Sequence, residues 1–158
     1  MNPEKDVISV LSCILFLIEG YRPFRSMEEQ YMTFFIGITY FLIDMIHYVE
    51  TVDLLVHHFL SIWLCILSIS HPAPHDVYQI IYNTEWSTLP LLCSHYMSGR
   101  TKKFSQILFM GLFLKFRIVG LFPLLYHESL TILQRTPIVL LYGLNLFWLK
   151  RILAHLNK

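Results

Sequence analysis

The sequence predicts an all-α fold: one domain, residues 1–158, built as a polytopic bundle of about five or six transmembrane helices. Two observations predict it. Apolar residues make up 55% of the 158 residues and charged residues only 15%, whereas soluble domains carry about 25% charged residues. The apolar residues are also gathered into long runs, separated by short polar, proline-containing or basic stretches. Aromatic residues near several run ends (Tyr31, Tyr48, Tyr96, Tyr126, Trp148) fit the belts that form where helices leave a bilayer.

The first run, residues 7–18, follows a charged start containing Glu4, Lys5 and Asp6. Glu19, Gly20, Tyr21 and Arg22 come next, not the small-residue cleavage site of a secretory leader. It is therefore expected to be a short first helix lying partly in the interface, with residues 1–30 forming that helix and a loop. The second run is 31–49, with Asp44 and His47 in its last third, and the third is 54–70. "HPAPHD" at 71–76 ends the third, because two prolines stop a helix. The fourth run, 77–94, holds Glu85, Ser87 and Thr88 in its middle. "GRTKK" at 99–103 reads as a basic loop. The fifth run, 104–126, carries Lys115 and Arg117 near its centre, and the sixth, 137–156, carries Lys150 and Arg151 near its exit.

With six spans, Lys5, Arg100, Lys102, Lys103, Lys150, Arg151 and Lys158 fall on the N-terminal side, and Arg22, Arg25 and Arg135 on the other. The positive-inside rule then puts both termini in the cytosol. A net charge of +1 gives no footprint for a nucleic-acid partner. Cys13, Cys65 and Cys93 lie inside apolar runs without CxxC spacing, so they read as small core residues. Nothing in the sequence fixes an oligomeric state.

Asp44, His47, His57, His58, Glu85, Lys115 and Arg117 all sit inside apolar runs. A charge at bilayer depth costs at least ~2.5–3.5 kcal/mol on insertion scales, so these groups are expected to face an interior. Two readings of the cations stay open: Lys115 and Arg117 neutralise Asp44 and Glu85 and lock the bundle, or they hold an anionic group of a ligand. Asp53 and His57 are four apart and share a helix face. A carboxylate there can orient an imidazole that acts as general base. His58, one residue on, points to an adjacent face, and either histidine can titrate near neutral pH. The rival is a metal site. His71 and His75 form HxxxH and, with His57 and His58, suggest the boxes of di-iron oxygenases. Pro72 and Pro74 break the helical register such a box needs, and His95, His127 and His155 are isolated, so no metal is expected.

The order of the motifs resembles the TLC-domain family. They are "YFLIDMIHY" at 40–48, "DLLVHHFLS" at 53–61, "NTEWSTLPLL" at 83–92, "FLKFRIVGLFPLLY" at 113–126 and "LNLFWLKRIL" at 144–153. The resemblance covers residues 31–156. It implies helices ringed around a lipid-accessible cavity, in the endoplasmic reticulum or another endomembrane in preference to the plasma membrane. It also implies that His57 and His58 are the family's paired histidines and Asp53 the acid before them. Asp44, Glu85, Ser87, Arg117 and Trp148 fall on further motif positions, and His47 and Lys115 join them as expected substrate-binding residues. The family includes ceramide synthases, which move a fatty acyl group from acyl-CoA to a sphingoid amine, and TLCD-like proteins linked to membrane lipid composition. Where ceramide synthases carry a second motif of the type Leu-His-Asp-x-x-Asp, this chain has "NTEWST", with Glu85 alone, so it is closer to the TLCD-like branch.

Two functions follow as expectations. The first is acyl transfer to a lipid amine or hydroxyl, with acyl-CoA as co-substrate, no bound cofactor, His57 or His58 as base (or transient acyl acceptor) and Asp53 as orienter. The second is binding of membrane lipids, or regulation of their composition, with no bond made or broken.

Overall fold

The computed structural model describes residues 3–21, 26–47 and 51–156. Among them every regular element is helical: α1 (Pro3–Tyr21), α2 (Met27–His47), α3 (Val52–Ser70), α4 (His75–Asn83), α5 (Glu85–Tyr96), α6 (Gly99–Leu112), a π-helical segment (Phe113–Gly120), a 3-10 turn (Phe122–Tyr126) and α7 (Ile132–Leu156). Among the described residues, three helical stretches are long and apolar enough to cross a membrane: Val52–Ser70, Gly99–Tyr126 and Ile132–Ala154. The apolar part of α1, Ser9–Glu19, is shorter. α2 spans 21 residues, with Glu28 and Glu29 in its first turn and Asp44 one turn before its end.

Local chemistry sets the boundaries. Ser26 caps α2, its Oγ accepting from the Glu29 N–H at 3.2 Å, and Glu28 and Glu29 complement the helix dipole. α7 opens on a reciprocal capping box: the Gln134 N–H donates to Thr131 Oγ1 and the Thr131 N–H to Gln134 Oε1. Gln134 Nε2 also donates to the His71 carbonyl at 2.5 Å, tying the start of α7 to the end of α3.

The fourth apolar run does not form one helix, as its length suggested. It breaks at Thr84 into α4 and α5. Thr84 Oγ1 donates to the Ile81 carbonyl and Ser87 Oγ to the Thr84 carbonyl, so local hydroxyl bonds compete with the α ladder. Pro90 then removes a second rung. The "GRTKK" stretch is not a loop either. It forms the first turns of α6, entered through Gly99 at φ 55, a conformation that favours glycine.

The helices close into a ring. α2 packs on α3, α3 on α7, α7 on the π segment, the π segment and α6 on α5, and α1 against α2, α4 and α5. Two apolar cores hold it. Leu64, Val77, Leu121, Leu124, Leu130 and Ile138 form one; Phe16, Phe34, Phe41, Tyr78 and Tyr82 form the other. Gly37 lets α2 settle between α1 and α3. A Cβ there would lie 3.1 Å from the Phe16 ring and 3.5 Å from Cys65 Sγ. Gly37→Val is therefore expected to destabilise the bundle by about 1–3 kcal/mol through overpacking, seen as a lower thermal midpoint in detergent micelles. An unchanged midpoint would show that α1 and α3 can part at no cost.

Candidate functional site

Inside the ring is a cavity of about 410 Å³. α1 supplies Ser9, α2 supplies Tyr40, Phe41 and Asp44, and α3 supplies His57 and His58. Glu85, Ser87 and Thr88 come from α5, Arg117 from the π segment, and Trp148 and Arg151 from α7. Leu54, Leu91, Leu92, Phe109, Phe113 and Ile152 complete an apolar wall. Leu91 and Arg151 are exposed, so the cavity opens beside them. The mouth lies at the end of the bundle shared by the C-terminal part of α7 and the first turn of α3, where Trp148 and Arg151 meet Asp53.

A buried polar contact joins α2 to α3. His58 Nε2 is hydrogen bonded to Asp44 Oδ2, with both side chains buried. Asp44 lies one turn before the end of α2, and His58 lies in the second turn of α3. The helix hairpin thus brings together two residues 14 apart in sequence. In a neutral imidazole, a carboxylate on Nε2 holds the proton there and leaves Nδ1 as the lone-pair atom. His58 Nδ1 is buried and has no hydrogen-bond partner among the described residues; nor has His57 Nδ1. The two imidazoles meet edge to face, centroids 5.5 Å apart. Phe41 packs on both, and Trp148 packs on His57 at 5.3 Å.

Asp53 does not orient His57. Its Oδ2 accepts from Trp148 Nε1 at 2.6 Å and from Arg151 Nη1 at 3.2 Å. α7 reaches the first turn of α3 with an N–H donor and a guanidinium, and those contacts outcompete a pairing along the helix. The carboxylate that holds a histidine of the pair is Asp44, expected from sequence as a substrate contact or as a counter-charge to Lys115 and Arg117.

Arg117 is buried, with its Nε donating to Ser87 Oγ at 2.8 Å and its Nη2 to Thr88 Oγ1 at 2.9 Å. Glu85 Oε1 lies 3.9 Å from Nη2, and Cys13 Sγ donates to Glu85 Oε2 at 3.1 Å. Of the two readings of this arginine, internal neutralisation is the arrangement found: Glu85, not Asp44, is its counter-charge.

Lys115 does not line the cavity. It is exposed, with its ammonium over the Phe116 ring at 5.0 Å. Residues two apart on a helix face nearly opposite ways, so burying Arg117 turns Lys115 outward. His47 closes α2, and its side chain lies outside the described residues. His71 and His75 sit on separate elements, the end of α3 and the start of α4. No group of metal-ligating side chains occurs among the described residues.

Ser9, Cys13, Tyr40, Thr88 and Arg151 belong to the polar lining or its immediate support, and sequence reasoning did not select them as site residues. Tyr40 donates to Ser9 Oγ across α1 and α2 at 3.2 Å. Thr88 was the most legible of the five, beside Ser87 in a polar interruption of an apolar run. Comparison of the chain with protein-family models, curated proteins and solved structures gives no match.

Proposed function

We propose that the chain is a multipass membrane protein of the TLC-like type that acts on lipids, transferring an acyl group to a lipid amine or hydroxyl inside the helix ring. The observation that carries this reading is the Asp44–His58 pair beside His57 on the wall of a largely apolar cavity. A carboxylate that fixes the tautomer of an imidazole, with the other ring nitrogen left without a partner, is the orienter–base arrangement of acyl-transfer chemistry. His58 takes the proton from the attacking amine or hydroxyl. The nucleophile adds to the thioester carbonyl, the carbon–sulfur bond breaks, and the thiol leaves with the proton returned by the imidazole. His57 forms the adjoining polar wall, and the apolar lining takes the acyl chain. Acyl-CoA fits as donor if its phosphates stay at the mouth beside Arg151, since Arg117 is already engaged and Lys115 faces away.

In this reading α1, α2, α3, the pair α4–α5, α6 with the π segment, and α7 make six crossings in an endomembrane. The mouth faces the cytosol, the side that carries Lys150, Arg151 and the start of α6.

A second reading, lipid binding without catalysis, is favoured by one observation. Most charged groups of the site already have protein partners: Asp44 with His58, Asp53 with Arg151, Glu85 with Arg117. The test is to compare the lipidomes of cells expressing the wild type, His57→Ala, His58→Ala or an empty vector at matched protein levels. Catalysis predicts an acyl-lipid species that rises with the wild type and falls by ~10²-fold or more with His58→Ala, the range of general acid–base catalysis. Identical lipidomes for the wild type and both variants, with lipid still co-purifying, would leave the binding reading in place.

A further inference from the structure

Lys115 is the residue the cavity does not absorb, and its position makes a specific demand. In the apolar stretch from Phe104 to Tyr126 it is eleven residues from either end. Where Gly99–Tyr126 crosses a membrane, Lys115 therefore lies close to the midplane. Half of a ~30 Å hydrocarbon core is longer than a four-carbon lysine stem, so the ammonium cannot snorkel to either interface from there. Its ammonium lies over the face of Phe116, and it forms no ion pair among the described residues. Intramembrane cations are ordinarily turned inward and paired. This one is turned outward.

The face around it is continuous and unpartnered. Phe104, Leu108, Gly111, Lys115 and Val119 follow at helical spacing, and all are exposed. A Cβ built on Gly111 meets nothing within 4 Å, so a second helix can approach closely one turn from Lys115.

We propose that this face docks a transmembrane helix of another protein that carries an aspartate or glutamate at mid-membrane depth. Charge complementarity at matched depth selects that occupant. Lipid head groups sit at the interfaces and cannot reach the midplane. A second copy of this chain has no suitable acid to offer: among the described residues the exposed carboxylates are Glu28, Glu29, Asp76 and Glu128, all at helix starts or in the connection before α7. Glu85, nearer mid-depth, is turned inward to Cys13 and Arg117. A symmetric dimer through this face would set one Lys115 against another.

The test uses the full-length protein in phosphatidylcholine vesicles and synthetic leucine-rich transmembrane peptides with aspartate, asparagine or leucine at the central position. Association is read by energy transfer between labels. The wild type is expected to bind the central-aspartate peptide at least 10-fold more tightly than the leucine peptide, with asparagine in between. Lys115→Leu, which makes the span more apolar and so keeps it inserted, is expected to abolish the difference, and Lys115→Arg to retain it. Equal binding of the aspartate and leucine peptides to the wild type would overturn the proposal. So would a preference that survives Lys115→Leu, or self-association of the wild type that Lys115→Leu removes.

Discussion

Replacing Asp44 with asparagine is expected to abolish most of the lipid product assigned above while leaving the protein inserted and folded. Asparagine has nearly the same shape, so the α2–α3 packing around Phe41 persists. The change is in the hydrogen bond. An ionised carboxylate only accepts, which forces the His58 proton onto Nε2. An amide can donate as well as accept, so it no longer dictates where that proton sits, and it cannot stabilise an imidazolium. General acid–base catalysis contributes about 10²–10⁴-fold, and losing the fixed tautomer removes a large share of it. The product level is expected to fall at least ~10²-fold, with a thermal midpoint close to that of the wild type. Asp44→Ala should do both kinds of damage. Removing the carboxylate leaves the His58 Nε2–H as a buried donor without an acceptor, which costs about 1–3 kcal/mol, so that variant should also melt early. Wild-type product from Asp44→Asn would remove His58 from the chemistry and return the site to the binding reading. Asp53→Asn is the internal comparison. Its carboxylate serves Trp148 and Arg151 at the mouth, so its loss is expected to move product level far less.

The contrast between these two aspartates shows what the sequence could and could not reveal. That the chain is helical, with apolar stretches long enough to span a membrane, is written in runs that need no tertiary information. Asp53 and His57 are four apart, and that spacing is a local signal anyone can read. Asp44 and His58 are brought together by the register of a helix hairpin, and register depends on side-chain packing around Gly37 and Phe41 that no local pattern encodes. The same limit applied to Lys115 and Arg117. Both were visible as cations in an apolar run; which one turns inward depends on the phase of the segment. Ser87 and Thr88 settle it by offering two hydroxyls that only one of the cations can meet. The break at Thr84 went unseen because no glycine or proline marks it. It rests on hydroxyl bonds back to the main chain, which are unremarkable until their geometry is known. The starts of α2 and α7 lie ahead of the apolar runs at 31 and 137, because the Ser26 cap and the Thr131 capping box set them and neither is part of an apolar run.

Arg117→Met is expected to be the most destabilising single change in the molecule outside the apolar cores, by about 3 kcal/mol, because it leaves the half-buried Glu85 carboxylate with no cation beside it and takes away the donor to Ser87 and Thr88. The side chain does two separable jobs. At an effective dielectric constant of about 20, charges some 4 Å apart attract by roughly 4 kcal/mol before desolvation is counted. The donations to Ser87 and Thr88 are shorter, at 2.8 and 2.9 Å, and hydrogen bonds to a charged group are worth about 1.5–3 kcal/mol each. Substitutions can tell the two apart. If the charge pair dominates, Glu85→Gln should restore most of the stability lost in Arg117→Met. If the hydroxyl bonds dominate, Glu85→Gln should restore little, and Ser87→Ala with Thr88→Val should restore more, since apolar replacement of every partner leaves nothing unsatisfied. Arg117→Lys keeps the charge but not the fork that reaches two hydroxyls at once. It is expected to recover the electrostatic part alone, at a thermal midpoint between those of Arg117→Met and the wild type. The function of the cavity adds a second readout. An arginine that only locks α5 to the π segment will lose lipid product in proportion to lost folded protein. One that also touches a lipid head group will lose it in Arg117→Lys, where the fold survives. A double-mutant cycle on Glu85 and Arg117, read by melting and by lipidome on the same samples, separates these outcomes.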